Sequence, residues 1–255
     1  MKKFFLVFLI LTINFLAFAQ IQDMAEFKSK KLEFYSQSNT DTIIEEITKE
    51  IRLLNQYKTS YSEELFLTLE NNLISEKVNF SLSDKNLKEE IYTLLTNQNI
   101  KNIQFIGEKK YKEFFSDYLV SLGDIKAKLL GFLSNSQMIS ESMTVKELYL
   151  TALKKNNESS SASLSYAMWL YFAPVIAGGG NRAAYKKIIE AEENAQNDSD
   201  LFFALIYKSQ ILFALKRFDE SQISLQQAHQ LVPKEQFTRI IGSLNAQGRI
   251  FFDKE

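Results

Sequence analysis

The chain has 255 residues, no cysteine, one histidine, and 30 basic residues against 31 acidic ones. The missing cysteines exclude a disulfide framework, a thiolate metal site and a lipid acceptor near the N-terminus. The near-neutral balance excludes the basic face that a nucleic-acid surface needs.

Residues 1–19 place Lys2 and Lys3 before an apolar run, Phe4 to Phe18, which Thr12 and Asn14 alone interrupt, and end on Ala17-Phe18-Ala19. A short apolar segment between a positive end and an A-x-A site is the pattern of a cleaved secretory signal, and it falls short of the roughly 20 residues that span a bilayer. The expectation is export, to the periplasm or beyond the cell, with no stable membrane span after cleavage. The mature chain would carry 28 basic residues against 31 acidic ones.

Residues 20–106 form a helical region, read either as degenerate repeats or as a separate domain. Residues 1–106 contain no glycine or proline, the two residues that punctuate most loops, so long helices follow. Thr42 with Glu45 fits a capping box ahead of Ile43, Ile44, Ile47, Ile51 and Leu54 on one helical face. Ser62 is placed to cap a stripe of Leu65, Phe66, Leu69 and Leu73, and Ser83 precedes a third of Leu87, Ile91, Leu94 and Leu95. KVNFSL at 77–82 and IKNIQFI at 100–106 alternate as strands would, but two strands alone are marginal, so they read as loops or helix ends.

Residues 107–255 read as a repeat region. A helix is expected from about Lys110 to Phe132, weakened by roughly 1 kcal/mol at each of Gly123 and Gly131. Thr144 with Glu147 makes a further capping box, and from there a signature recurs: Val145-x3-Tyr149-x2-Ala152, Ala184-x3-Ile188-x2-Ala191 and Ser221-x3-Leu225-x2-Ala228. Steps of four and three hold each trio on one face, and the small last residue lets a neighbouring helix come close. Signatures 39 and 37 residues apart, each behind an apolar helix, predict stacked helical hairpins.

Residues 201–235 resemble a tetratricopeptide repeat, with Leu205, Leu212, Phe218, Ser221, Leu225, Ala228 and Pro233 at that pattern's spacing. Leu205 stands where the family often has tryptophan, Lys208 for leucine, Ser209 for glycine and Ser221 for alanine. The resemblance implies an all-α fold, a right-handed superhelix of hairpins, closed here by a capping helix over 235–252. It also implies a protein that binds a protein or peptide, and the missing catalytic and metal-ligating groups add the expectation that it is non-catalytic, with no cofactor or metal. Residues 163–233 are also similar to the repeat-protein partners of periplasmic TRAP-type transporters, which implies an alternative: a component of a solute transporter that binds an apolar ligand or an organic acid.

Within the second unit, YFAPVIAGGGNRAAYKK at 171–187 turns one helix into the next, Pro174 ending or kinking the first and Asn181 capping the second. The competing reading, an anion held by free N–H groups at Gly179, Gly180 and Asn181, lacks the Gly-Lys-Ser/Thr end of a phosphate loop. Ser161 to Ala177 supplies the candidate partner-binding residues Tyr166 and Trp169, with Arg182 nearby for charge. His229 reads as a surface residue near a helix end. The paired acids Glu45-Glu46, Glu89-Glu90 and Glu192-Glu193 diverge around their helices and read as solvated faces.

Overall fold

The computed structural model describes residues 21–82, 84–233 and 235–252; the leader expected at 1–19 lies outside them. Among the described residues the regular structure is helical, with eleven α-helices and no strand. They are α1 (Met24–Ser36), α2 (Thr40–Gln56), α3 (Glu63–Ser81), α4 (Lys88–Ile106), α5 (Ser116–Leu129), α6 (Asn135–Lys155), α7 (Ser160–Phe172), α8 (Asn181–Glu193), α9 (Asp198–Ala214), α10 (Phe218–Leu231) and α11 (Phe237–Ala246).

From α2 onward each helix packs against the next, and alternate helices also touch: α3 with α5, α5 with α7, and α7 with α9. These four form an inner layer, and α4, α6, α8 and α10 form the outer one. All three signatures lie on outer helices, and each of the nine residues is at most 5% exposed. The reason for the final alanine is visible in two units. The Ser116 hydroxyl, at the start of α5, donates to the Ala152 carbonyl at 3.1 Å, and the Ser160 hydroxyl, at the start of α7, donates to the Ala191 carbonyl at 2.7 Å. A larger side chain there would hold the inner helix away from that carbonyl.

Several boundaries differ from expectation. Asn39, not Thr42, caps α2, its side chain accepting from the N–H groups of Asp41 and Thr42. In α6 the box is Ser134 with Gln137, so Thr144 falls inside a longer helix; nothing between the two boxes breaks a helix. The single helix expected over 110–132 is in three pieces, two single 3-10 turns flanking α5. The chain leaves helical geometry at Phe114 because that ring is sunk between Phe105 and Tyr118, with centroids at 5.5 and 5.2 Å. KVNFSL and IKNIQFI close α3 and α4 as helix, with Val78 and Asn102 buried. On α11, Ile241 is buried and Ile240 exposed. One core cluster runs from Ile21 to Ile241, so residues on both sides of position 106 share it.

Between α7 and α8, Pro174 opens a 3-10 turn, Val175–Ala177. The glycine N–H groups are spent on nearby carbonyls: Gly178 donates to Val175 and Gly179 to Pro174 within the loop, and Gly180 to Leu170 of α7, at 2.9, 3.2 and 2.7 Å. Two of the three donors invoked for an anion are therefore occupied by carbonyls. Gly178 and Gly180 have φ of 88° and 101°, a region that favours glycine, and Gly180 takes the cap position expected of Asn181. Gly179 is needed for space, since a Cβ there would lie 2.2 Å from the Ala173 carbonyl oxygen. Because the obstacle is backbone, Gly179→Ala should cost about 2–3 kcal/mol, measurable by urea denaturation.

Candidate partner-binding groove

Helix α1 lies against the inner layer and touches both α3 and α9, the first and last of its four helices. One helix can meet both ends only if the layer curves around it, so α1 occupies the concave side. Asp23 caps it through the N–H groups of Ala25 and Glu26. Phe27, Phe34 and Tyr35 are buried there, and Tyr35 packs on Phe80 of α3, Phe203 of α9 and Phe237 of α11, with centroids at 4.9, 4.8 and 5.2 Å.

Charges accompany these rings. Lys28 pairs with Asp200 of α9 at 2.9 Å. Lys31 Nζ lies 2.8 Å from Glu76 Oε1 of α3 and 4.0 Å from the centre of the Phe203 ring. The Tyr35 hydroxyl and the Asn79 amide donate to Glu76 Oε2 at 3.0 and 3.1 Å, and Lys128 donates to Asn79 Oδ1 at 2.5 Å. Beside them, the Tyr149 hydroxyl donates to Asp124 Oδ1 at 2.7 Å. Gly123 makes room for that ring: a Cβ would lie 2.4 Å from it.

The acidities follow from this arrangement. Burial acts to raise the Glu76 carboxyl, but the charge and hydrogen bond of Lys31, then Lys128 and Asn79, outweigh it and hold the group below the usual glutamate range. For Lys31 burial acts downward, and Glu76 overcomes it so that the ammonium is held above its usual range. Asp124 is raised by burial, against the Tyr149 hydrogen bond. Lys128 is lowered by burial despite Glu76 and Asp124. Burial also pushes Tyr207 up to about 12. Glu76, Asp124 and Asp200 are each engaged by the chain's own lysine or tyrosine, the mark of a network that fixes helices. Between α1 and the inner helices a cleft of about 70 Å³ remains, lined in part by Lys28, Lys31, Asp117 and Asp124.

Of the residues expected to bind a partner, Tyr166 and Trp169 stack on one another at 5.9 Å. Trp169 is buried, and its indole N–H donates to the Ser142 carbonyl on α6 at 2.9 Å, with Lys146 4.8 Å from its ring centre. Arg182 lies exposed in the first turn of α8. His229 is half-exposed, and its Nδ1 lies 3.2 Å from Oε1 of the buried Glu235; the other Glu235 oxygen accepts the Thr238 N–H at 2.8 Å, tying α10 to α11. Among the described residues no His, Cys, Asp or Glu cluster is arranged to hold a metal.

Two features were missed in the sequence. One is a ledge at the α7–α8 turn, where Phe172, Val175 and Ile176 are 61%, 79% and 98% exposed. The loop's internal hydrogen bonds hold it, as does Lys146, which donates to the Ala177 carbonyl at 3.1 Å. The other is the C-terminal tail, which returns to the inner layer: Phe252 packs on Tyr171 of α7 and Tyr207 of α9.

No protein-family model matches the chain, and no curated protein matches it in sequence. It is similar in structure to TTC0263, a thermophilic TPR protein of Thermus thermophilus, with a TM-score of 0.50 at 12% identity, over 76% of this chain and 95% of that one. At such identity the likeness speaks to fold, and it agrees with the two helical layers and the buried signatures. The chain has the fold of a tetratricopeptide-repeat protein, an α-solenoid of stacked helical hairpins.

Proposed function

We propose that the protein is an exported, non-catalytic scaffold that docks a protein partner on the ledge of Phe172, Val175 and Ile176. The carrying observation is that these apolar side chains stand in water on a loop braced by its own hydrogen bonds. Rigid apolar groups presented together are the usual core of a contact with another protein. A fold built for protein interaction supports the same reading. The rival, a small-molecule component of a transporter, is less well supported: the cleft offers about 70 Å³, where pockets for such ligands hold roughly 300–1,000 Å³. Lys28 and Lys31, which an organic acid would need, are already paired.

A photo-crosslinking residue at position 176 should capture one envelope protein, and Val175→Asp should abolish that capture while leaving the helical melting curve unchanged. The same crosslinks from an exposed control position such as Arg52 would count against the ledge. Export rests on residues 1–19 and is checked separately, the mature protein being expected to begin at Gln20.

A further inference from the structure

We propose that Tyr171, Tyr207, Gln210 and Phe237 form a binding site for an extended peptide with two adjacent aromatic residues, and that the chain's own Phe251 and Phe252 occupy it as a displaceable internal ligand. The site adjoins the ledge, Tyr171 meeting Phe172 edge-on at 5.1 Å, but it holds none of the ledge residues, and its test does not involve the partner proposed there.

The chain reverses after α11 through Gly248, whose φ is 75°. Arg249 donates its N–H back to the Leu244 carbonyl at 3.0 Å, and Gly248 donates to Asn245 at 2.9 Å. This turn sends residues 249–252 back across the inner layer, where they form no regular element. Their backbone is received by a side chain: Oε1 of Gln210, itself fully buried, accepts the Phe251 N–H at 2.8 Å. The Gln210 amide nitrogen points to Asn245 Oδ1 at 3.3 Å, which fixes which end of the amide faces the tail. The two rings are held by edges. Phe251 meets Phe237 at 5.0 Å and 87°; Phe252 meets Tyr171 at 5.7 Å and 67°, and Tyr207 at 5.1 Å and 71°.

These contacts are those of a peptide on a receptor: one main-chain hydrogen bond to a preset acceptor, and adjacent rings received by aromatic edges. They are also incomplete. Phe251 is 40% exposed and Phe252 half-buried, whereas Phe34 on α1, in the same groove, is fully buried. Helix α1 is therefore a fixed part of the core, and the tail is the segment that can leave. A tethered ligand acts at an effective concentration of roughly millimolar. A site that binds the free sequence with a Kd of about 0.1 mM would then be some 90% occupied in cis, and its apparent affinity for a peptide in trans would fall about tenfold.

The test titrates a fluorescent peptide of residues 248–252 into the full chain. The variant carrying Phe251→Ala and Phe252→Ala should bind it about tenfold more tightly than the wild type does, and adding Gln210→Leu to that variant should remove the gain. Equal affinity for wild type and double variant, or a gain that survives Gln210→Leu, would overturn the proposal. Hydrogen exchange on the unaltered chain is a second measurement that needs no variant. The Phe251 amide should exchange much faster than amides in α9 and faster still with excess unlabelled peptide; exchange only on global unfolding would equally overturn it.

Discussion

Replacing Lys31 with methionine should cost about 3–5 kcal/mol at neutral pH, because it strands a buried carboxylate. Glu76 would keep hydrogen bonds from Tyr35 and Asn79, but its direct cation would be gone, and Lys128 reaches it through Asn79. The pH dependence separates this cause from lost packing. In the wild type the folded Glu76 pKa lies below its ordinary 4.5. Its stabilisation is fully present above that ordinary value and is lost as pH falls through the folded value. In Lys31→Met burial is the largest remaining influence, so the folded pKa should rise above the unfolded one. The variant should then become more stable on acidification from pH 7 toward 4.5, while the wild type gains nothing there from this group. Adding Glu76→Gln should recover much of the loss at pH 7 and flatten the profile. Urea titrations at several pH values measure all three. A loss under about 1 kcal/mol, or a profile parallel to the wild type, would show that the pair contributes little.

The outer layer was far more legible than the inner one, for a physical reason. Outer helices have one face in water, so burial selects a stripe, and Val145, Tyr149 and Ala152 with their two counterparts could be read from spacing alone. Inner helices have neighbours on several sides. In α3 the Ser62 cap and the stripe of Phe66, Leu69 and Leu73 were legible, but the buried set also includes Glu70, Asn71 and Glu76, which apolar periodicity does not reveal. There polar side chains satisfy one another: Asn71 and Asn102 exchange amide hydrogen bonds at 3.0 and 2.8 Å, and Gln98 donates to Glu70 at 3.0 Å. Such pairs join positions 27 to 31 residues apart, and no local pattern announces them. Helix α1 hides in the same way, since Lys31 interrupts an otherwise aromatic face of Phe27, Phe34 and Tyr35. Trp169 and Tyr166 were legible as aromatics on an inner helix, but Trp169 turned toward α6, because the Ser142 carbonyl offered its indole N–H a partner. The ledge escaped because apolar residues beside a proline read as helix continuing into core.

The position of α1 makes Phe34→Ala the sharpest test of how the solenoid holds together. Phe34 is fully buried, and truncating such a ring costs about 3–5 kcal/mol, or a fall in Tm on the order of 10 °C for a chain of this size. Where that loss appears matters more than its size. In an open solenoid each unit contacts only its neighbours, so damage at one end frays that end and is felt weakly at the other. Here α1 touches α3 and also α9, some 170 residues later, through Tyr35 on Phe203 and Lys28 on Asp200. Helix α1 thus closes the array like a clasp, and loosening it removes cover from both ends at once. Hydrogen exchange of Phe34→Ala should show amides of α9, Phe202 and Phe203 among them, losing protection together with those of α1. The middle outer helices α6 and α8, which rest on their own signatures, should keep more of theirs. Faster exchange confined to residues 21–60 would mean that the array is open and that α1 merely lies in its groove.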